Sequence, residues 1–75
     1  MMHKPFYRLR VRFAECELGQ NEVARLAGIA PSTMTARMMG RQPFTAWEIQ
    51  RIAAVLDISP ADYGIFFFDR VGEAS

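Results

Sequence analysis

The chain has 75 residues, 51% hydrophobic and 23% charged, with a formal net charge of +1 at pH 7. That length allows one domain, able to bury only about 60% of its unfolded surface, and the apolar content excludes a disordered chain. No apolar run reaches the roughly 18 residues of a membrane span, no signal-peptide core is present, and the single cysteine, Cys16, excludes an intrachain disulfide and a thiolate zinc cluster, so the chain reads as cytoplasmic.

The charge is unevenly placed. Seven basic and three acidic residues up to Arg41 give +4, whereas two basic and five acidic residues from Gln42 onward give −3. Such a polarised molecule can present one face to phosphates, although charges on small helices also serve simply to solvate them.

Met1 to Lys4 reads as a frayed terminus, and His3 has no ligand partner at metal spacing. In Pro5 to Leu18, Arg8, Arg10 and Arg12 alternate with Leu9, Val11 and Phe13, a strand pattern, while Phe6, Leu9, Phe13 and Cys16 fall at helical spacing behind a proline. A lone strand would have no partner, and the helices that follow need a cover for their apolar face, so helix is the expected form. Its arginines either flank a nucleic-acid surface or keep the helix wet, and Cys16 reads as a small core residue.

Leu18 and Gly19 form a turn, with Gly19 a weak cap for the next helix. Val23, Ala24 and Ala27 make one apolar face, and Gly28 then breaks the pattern where a left-handed residue reverses the chain. Ile29 plugs back into the core. Pro31 suits a first helical position, Met34 and Met38 mark the buried face of a second helix to Met39, and Gly40 ends it.

Thr45 and Glu48 form a capping box, with Phe44 and Ile49 placed as a hydrophobic staple. Ile49, Ile52, Ala53 and Leu56 make the stripe of a helix running from Phe44 to Leu56 and ended by Asp57. Trp47 stands on another face, at the core edge or at an interface. Ser59, Pro60 and Asp62 signal the start of a short helix, with Ser59 its cap and Tyr63 turned inward. Ile65 to Phe68, IFFF, is open between strand and helix end. Phe66, Phe67 and Phe68 cannot all face one core, so at least one is expected to be exposed or to meet a partner, and a dimer or partner contact through this segment is favoured over simple core closure. Val71 to Ser75 reads as a loose tail.

The stretch QNEVARLAGIAPSTMTARMMG, Gln20 to Gly40, resembles the helix-turn-helix of the phage repressor and Cro family. Gln20, Ala24, Gly28, Ile29 and Met34 match its pattern in order, and the likeness extends more weakly from Tyr7 to Phe68. It implies an all-α, lambda-repressor-like bundle of about five short helices in one domain, 1–75. It also implies a recognition helix, Pro31 to Met39, that enters the major groove of duplex DNA. Gln20 would contact a phosphate and brace that helix. By position Pro31, Ser32, Thr35 and Ala36 face bases, with Thr33 and Arg37 nearby. Family members often carry glutamine where Pro31 stands, so this chain departs from the pattern.

Ser and Thr hydroxyls bond to several bases, and alanine or threonine methyls pack on thymine. Arg37 alone on this helix can grip guanine bidentately; it can equally bind phosphate or lie along the surface. Arg41 and Gln42 would touch the sugar-phosphate backbone. The resulting expectation is a small dimeric transcriptional regulator reading an inverted-repeat operator. No cofactor, metal, small-molecule ligand or membrane is implied. No nucleophile stands beside a general base, so an enzyme is not expected. The alternatives are an antirepressor or antitoxin-like module that binds another protein, and an architectural binder without a preferred site.

Overall fold

The computed structural model describes residues 5–68, so the readings of 1–4, including His3, and of 71–75 fall outside it. Five α-helices follow one another as α1 (Tyr7–Glu15), α2 (Gln20–Ala27), α3 (Pro31–Met38), α4 (Ala46–Leu56) and α5 (Tyr63–Phe67), with a 3-10 turn at Pro60–Asp62 before the last. There is no strand among the described residues.

Leu9 and Phe13 of α1, Val23, Ala24 and Ala27 of α2, Met34 and Met38 of α3, and Ile49, Ile52, Ala53 and Leu56 of α4 make one core, joined by Ile29, Ile58 and Phe67. Their spacing of three and four places one face of each helix inward. In α1 this period overrides the alternation of arginine with apolar residues, and Cys16 is half-buried against the same core. α2 packs on both α3 and α4, and α1 and α4 pack on α5. Ala24, Ala27 and Ala53 are all buried, leaving room for close approach of α2 to its neighbours.

Each of the first four helices stops in the same way. Glu17, Gly28, Gly40 and Asp57 take left-handed backbone with φ of 58°, 74°, 78° and 57°. The next residue then donates its N–H five residues back: Leu18 to Phe13, Ile29 to Ala24, Arg41 to Ala36 and Ile58 to Ala53, all within 2.9–3.0 Å. This is the Schellman arrangement, which satisfies carbonyls left open at a helix end.

Arginines complete three of these ends. Arg51 Nε donates to the Ala27 carbonyl at the end of α2 at 2.7 Å, and Arg10 Nη2 donates to Met38 at the end of α3 at 3.1 Å. Arg12 donates through Nε and Nη2 to Leu56 at the end of α4, at 3.0 and 2.8 Å. A cation at a helix C-terminus also opposes the negative end of the helix dipole. Arg10 and Arg12 therefore turn inward onto carbonyls rather than out toward solvent.

The capping box on α4 is complete: Thr45 N donates to Glu48 Oε1 at 2.9 Å, and Glu48 N donates to Thr45 Oγ1 at 3.1 Å. The sequence expectation for Ser59 is corrected. It holds the N-cap position of the 3-10 turn, but its side chain makes no capping bond; its backbone carbonyl accepts from Asp62 N instead. IFFF is helical: Ile65, Phe66 and Phe67 belong to α5 and Phe68 follows it. Phe67 is in the core, 3% exposed, edge-on to Phe44 and Tyr63 with ring centroids 5.5 and 6.0 Å away. Phe44 in turn meets Phe6 edge-on at 5.1 Å. Phe67 was expected at an interface; as the last residue of α5 it closes the core instead. Phe66 is half-buried, and Phe68 is 58% exposed.

Candidate nucleic-acid interface

The outer side of α3 and the loop after it hold most of the residues singled out in the sequence. Met34 and Met38 anchor α3 inward, so Ser32 stands exposed and Thr33, Thr35 and Ala36 half-exposed on its remaining surface. Pro31 is exposed at the first helical position, where its missing N–H leaves no bond unmade. From α2, Gln20 Nε2 donates to Thr35 Oγ1 at 3.2 Å. Gln20 is the first residue of α2, so this bond braces the start of one helix against the middle of the next.

Arg37 is placed differently from the other residues on α3. Its Nε donates to Glu48 Oε1 at 2.8 Å and its Nη2 to Glu48 Oε2 at 3.0 Å, a two-pronged ion pair between α3 and α4. Its Nη1 donates to Gln42 Oε1 at 2.5 Å. The Arg37 side chain is 14% exposed and that of Glu48 6%. The only side chain on α3 able to grip guanine bidentately is thus engaged within the protein. The sequence signal missed here is Glu48, whose place in the T-x-x-E box accounted for it fully. In the structure one carboxylate both closes the box and holds the arginine.

The electrostatics follow from this geometry. The hydrogen bond to Glu48 raises the Arg37 guanidinium above its ordinary value, against the opposing effect of burial. Burial works to push the Glu48 carboxyl up, but hydrogen bonds from Arg37 and Thr45 and the Arg37 charge outweigh it and hold the group below the usual glutamate range.

Arg41 and Gln42 are both exposed in the loop after α3. Arg10, Arg12, Arg37 and Arg51 are all committed to intramolecular bonds. Arg25 is loosely paired with Glu22 at 3.9 Å, and Arg8 also has an interaction within the protein. Among the described residues Arg41 is the cation left without a partner.

The second candidate surface lies across the molecule's α1–α5 contact. A groove of about 250 Å³ is lined by Tyr7, Arg8, Val11, Glu15, Ile65 and Phe66. Tyr7, Val11 and Ile65 are each exposed there. Of the three phenylalanines assigned to an interface, Phe66 lines this groove, Phe68 is on the surface and Phe67 is not.

Among the described residues no group of three His, Cys, Asp or Glu could hold a metal ion, and no helix is long and apolar enough to cross a membrane. No family model, curated protein or solved structure matches this chain, so the resemblance noted above rests on its own residues, Gln20, Ala24, Gly28, Ile29 and Met34.

Proposed function

We propose that the chain binds duplex DNA at preferred sites as a small transcriptional regulator of the phage repressor and Cro type. On this reading α2, the turn at Gly28 and α3 are its helix-turn-helix, and α3 enters the major groove. The observation that carries the reading is the Gln20–Thr35 bond. It joins the residue expected to brace the recognition helix to a residue expected to face bases. Exposure of Ser32 at the start of α3 and the unpartnered Arg41 in the following loop support it further.

Base reading then falls to Ser32, Thr33, Thr35 and Ala36, whose hydroxyls and methyls discriminate less sharply than a bidentate side chain. Gln20, Arg41 and Gln42 position the backbone. Two copies related by a two-fold axis place their α3 helices about 34 Å apart on successive turns. Phe66 and Phe68, with Tyr7, Val11 and Ile65, supply the apolar surface for that pairing.

Selection of bound sequences from a random duplex pool, at low and near-physiological salt, tests the proposal. A recovered inverted repeat that persists at the higher salt is the expected result. Binding that disappears with salt and leaves no common sequence would reduce the interaction to phosphate attraction and overturn it.

The exposed α1–α5 groove favours a second reading, an antirepressor or antitoxin-like module that docks another protein there. Ile65→Asp separates the two. On the DNA reading it yields a monomer in sedimentation that still binds half-sites weakly. On the protein-docking reading it leaves DNA behaviour unchanged and abolishes a complex with a different chain.

A further inference from the structure

The arrangement around Arg37 assigns a role that differs from base reading. We infer that Arg37 and Glu48 are positioning residues that hold the Gln42 side chain so that its amide NH2 donates to a backbone phosphate of duplex DNA beside Arg41. The inference rests on the DNA-binding reading and deepens it.

Donor chemistry fixes which way the Gln42 amide faces. A guanidinium has N–H groups and no acceptor, so whichever Gln42 atom meets Arg37 must be the amide oxygen. That contact is Arg37 Nη1 to Gln42 Oε1, 2.5 Å. With the oxygen turned inward, the planar amide directs its NH2 to the other side, and Gln42 is exposed. A free surface glutamine presents oxygen and nitrogen alike; this one presents nitrogen. Phosphate oxygens accept and never donate, so the fixed orientation suits them.

The orientation is held by a chain of bonds that ends in the backbone. Arg37 is fixed by both oxygens of Glu48, at 2.8 and 3.0 Å. Glu48 is fixed by the Thr45 N–H at the start of α4. Gln42 is adjacent to Arg41, the unpartnered cation, so a neutral donor pair and a charge share one loop. Glu48 neutralises Arg37 locally. The Gln42 contact therefore adds hydrogen bonds without releasing counterions, while Arg41 releases them.

The test compares variants for DNA affinity, salt dependence, selected sequence and side-chain order. Gln42→Ala is expected to weaken binding roughly five- to ten-fold on all sequences with the salt slope unchanged. Gln42→Glu keeps an oxygen toward Arg37 but turns a second oxygen outward, so it is expected to fold at least as stably and to bind DNA more weakly than Gln42→Ala. In Arg37→Met/Glu48→Gln the capping box is retained by glutamine and no charge is left buried alone. That variant is expected to lose the same factor as Gln42→Ala, and adding Gln42→Ala to it is expected to cost nothing more.

A readout without DNA accompanies these. Nitrogen-15 relaxation of the Gln42 side-chain amide is expected to show order in the parent and free motion in Arg37→Met/Glu48→Gln. Equal mobility in both overturns the inference whatever DNA does. Additive losses overturn it as well, because they make Arg37 merely structural. A changed selected sequence in the Arg37 variant returns that residue to base reading. A parent with an ordered Gln42 amide that binds no duplex overturns the phosphate ligand and the DNA reading together.

Discussion

Glu48 joins three helix-level facts in one side chain: it closes the α4 cap, pairs with Arg37 of α3, and is buried. Its carboxyl is held below the usual glutamate range in the folded protein. A depressed value means that the unfolded chain takes up the proton first. The stabilising contribution is therefore complete above about pH 4.3, the ordinary glutamate value, and is lost as pH falls through the lower native one. Acid titration followed by circular dichroism is expected to show a steeper loss of stability below pH 4.3 in the parent than in Glu48→Gln. Gly28 is constrained both by its backbone and by a neighbouring side chain. Its φ is 74°, and a Cβ there would stand 3.0 Å from Arg51 Nη2, part of the guanidinium whose Nε caps the end of α2. Gly28→Ala is expected to cost about 1–2 kcal/mol in urea unfolding for the left-handed backbone alone. The steric part of any further loss should disappear in an Arg51→Ala background, where the crowded guanidinium is gone.

At the scale of elements, the recurring left-handed stop invites a direct comparison. Gly28 and Gly40 make it with glycine, and Glu17 and Asp57 make it with a side chain. Glutamate in that conformation is strained, and Glu17 is exposed. Glu17→Gly is expected to raise stability by about 0.5–1 kcal/mol, relief of that strain exceeding the added flexibility of the unfolded chain. Thermal and urea unfolding of the pair of proteins would reveal a gain, or a loss that contradicts this account. Several elements were legible in sequence because their causes are local. Each glycine stop, the T-x-x-E box and the stripe through Ile49, Ile52, Ala53 and Leu56 depends on residues close to one another in the chain. The arginine ends were not legible: Arg12 meets Leu56, and Arg10 meets Met38, across most of the fold. Only the packing of α1 makes those carbonyls reachable. IFFF was ambiguous for the same reason. Nothing in its own composition separates Phe67, wedged between Phe44 and Tyr63, from Phe68 beside it in solvent.

Across the whole molecule, the formal asymmetry of charge overstates what a phosphate would encounter. Arg10, Arg12, Arg37 and Arg51 are spent on carbonyls and on two carboxylates, Glu15 and Glu48, so among the described residues few cations remain for a polyanion. The candidate site was therefore legible as a location and only partly as chemistry. Gln20 bonds to Thr35 and the neighbouring loop exposes Arg41 and Gln42, while Arg37 is engaged with Glu48 within the protein. On the DNA reading the salt dependence of binding should be shallow, and Arg41→Ala should reduce the slope of log affinity against log salt by about one per protomer. Fluorescence titrations at several salt concentrations measure this. An unchanged slope would remove Arg41 from the interface.

The chain's single tryptophan offers a convenient optical handle on the same architecture. Trp47 is half in water, and Arg51 lies over its ring at 4.8 Å while hooking the last carbonyl of α2. Its indole thus borders the joint where α4 grips the helix leading into α3. Light emitted by that ring reports the joint without any attached dye: a ligand that pulls on α2 should shift its colour, and one confined to the α1–α5 groove should leave it dark to the event.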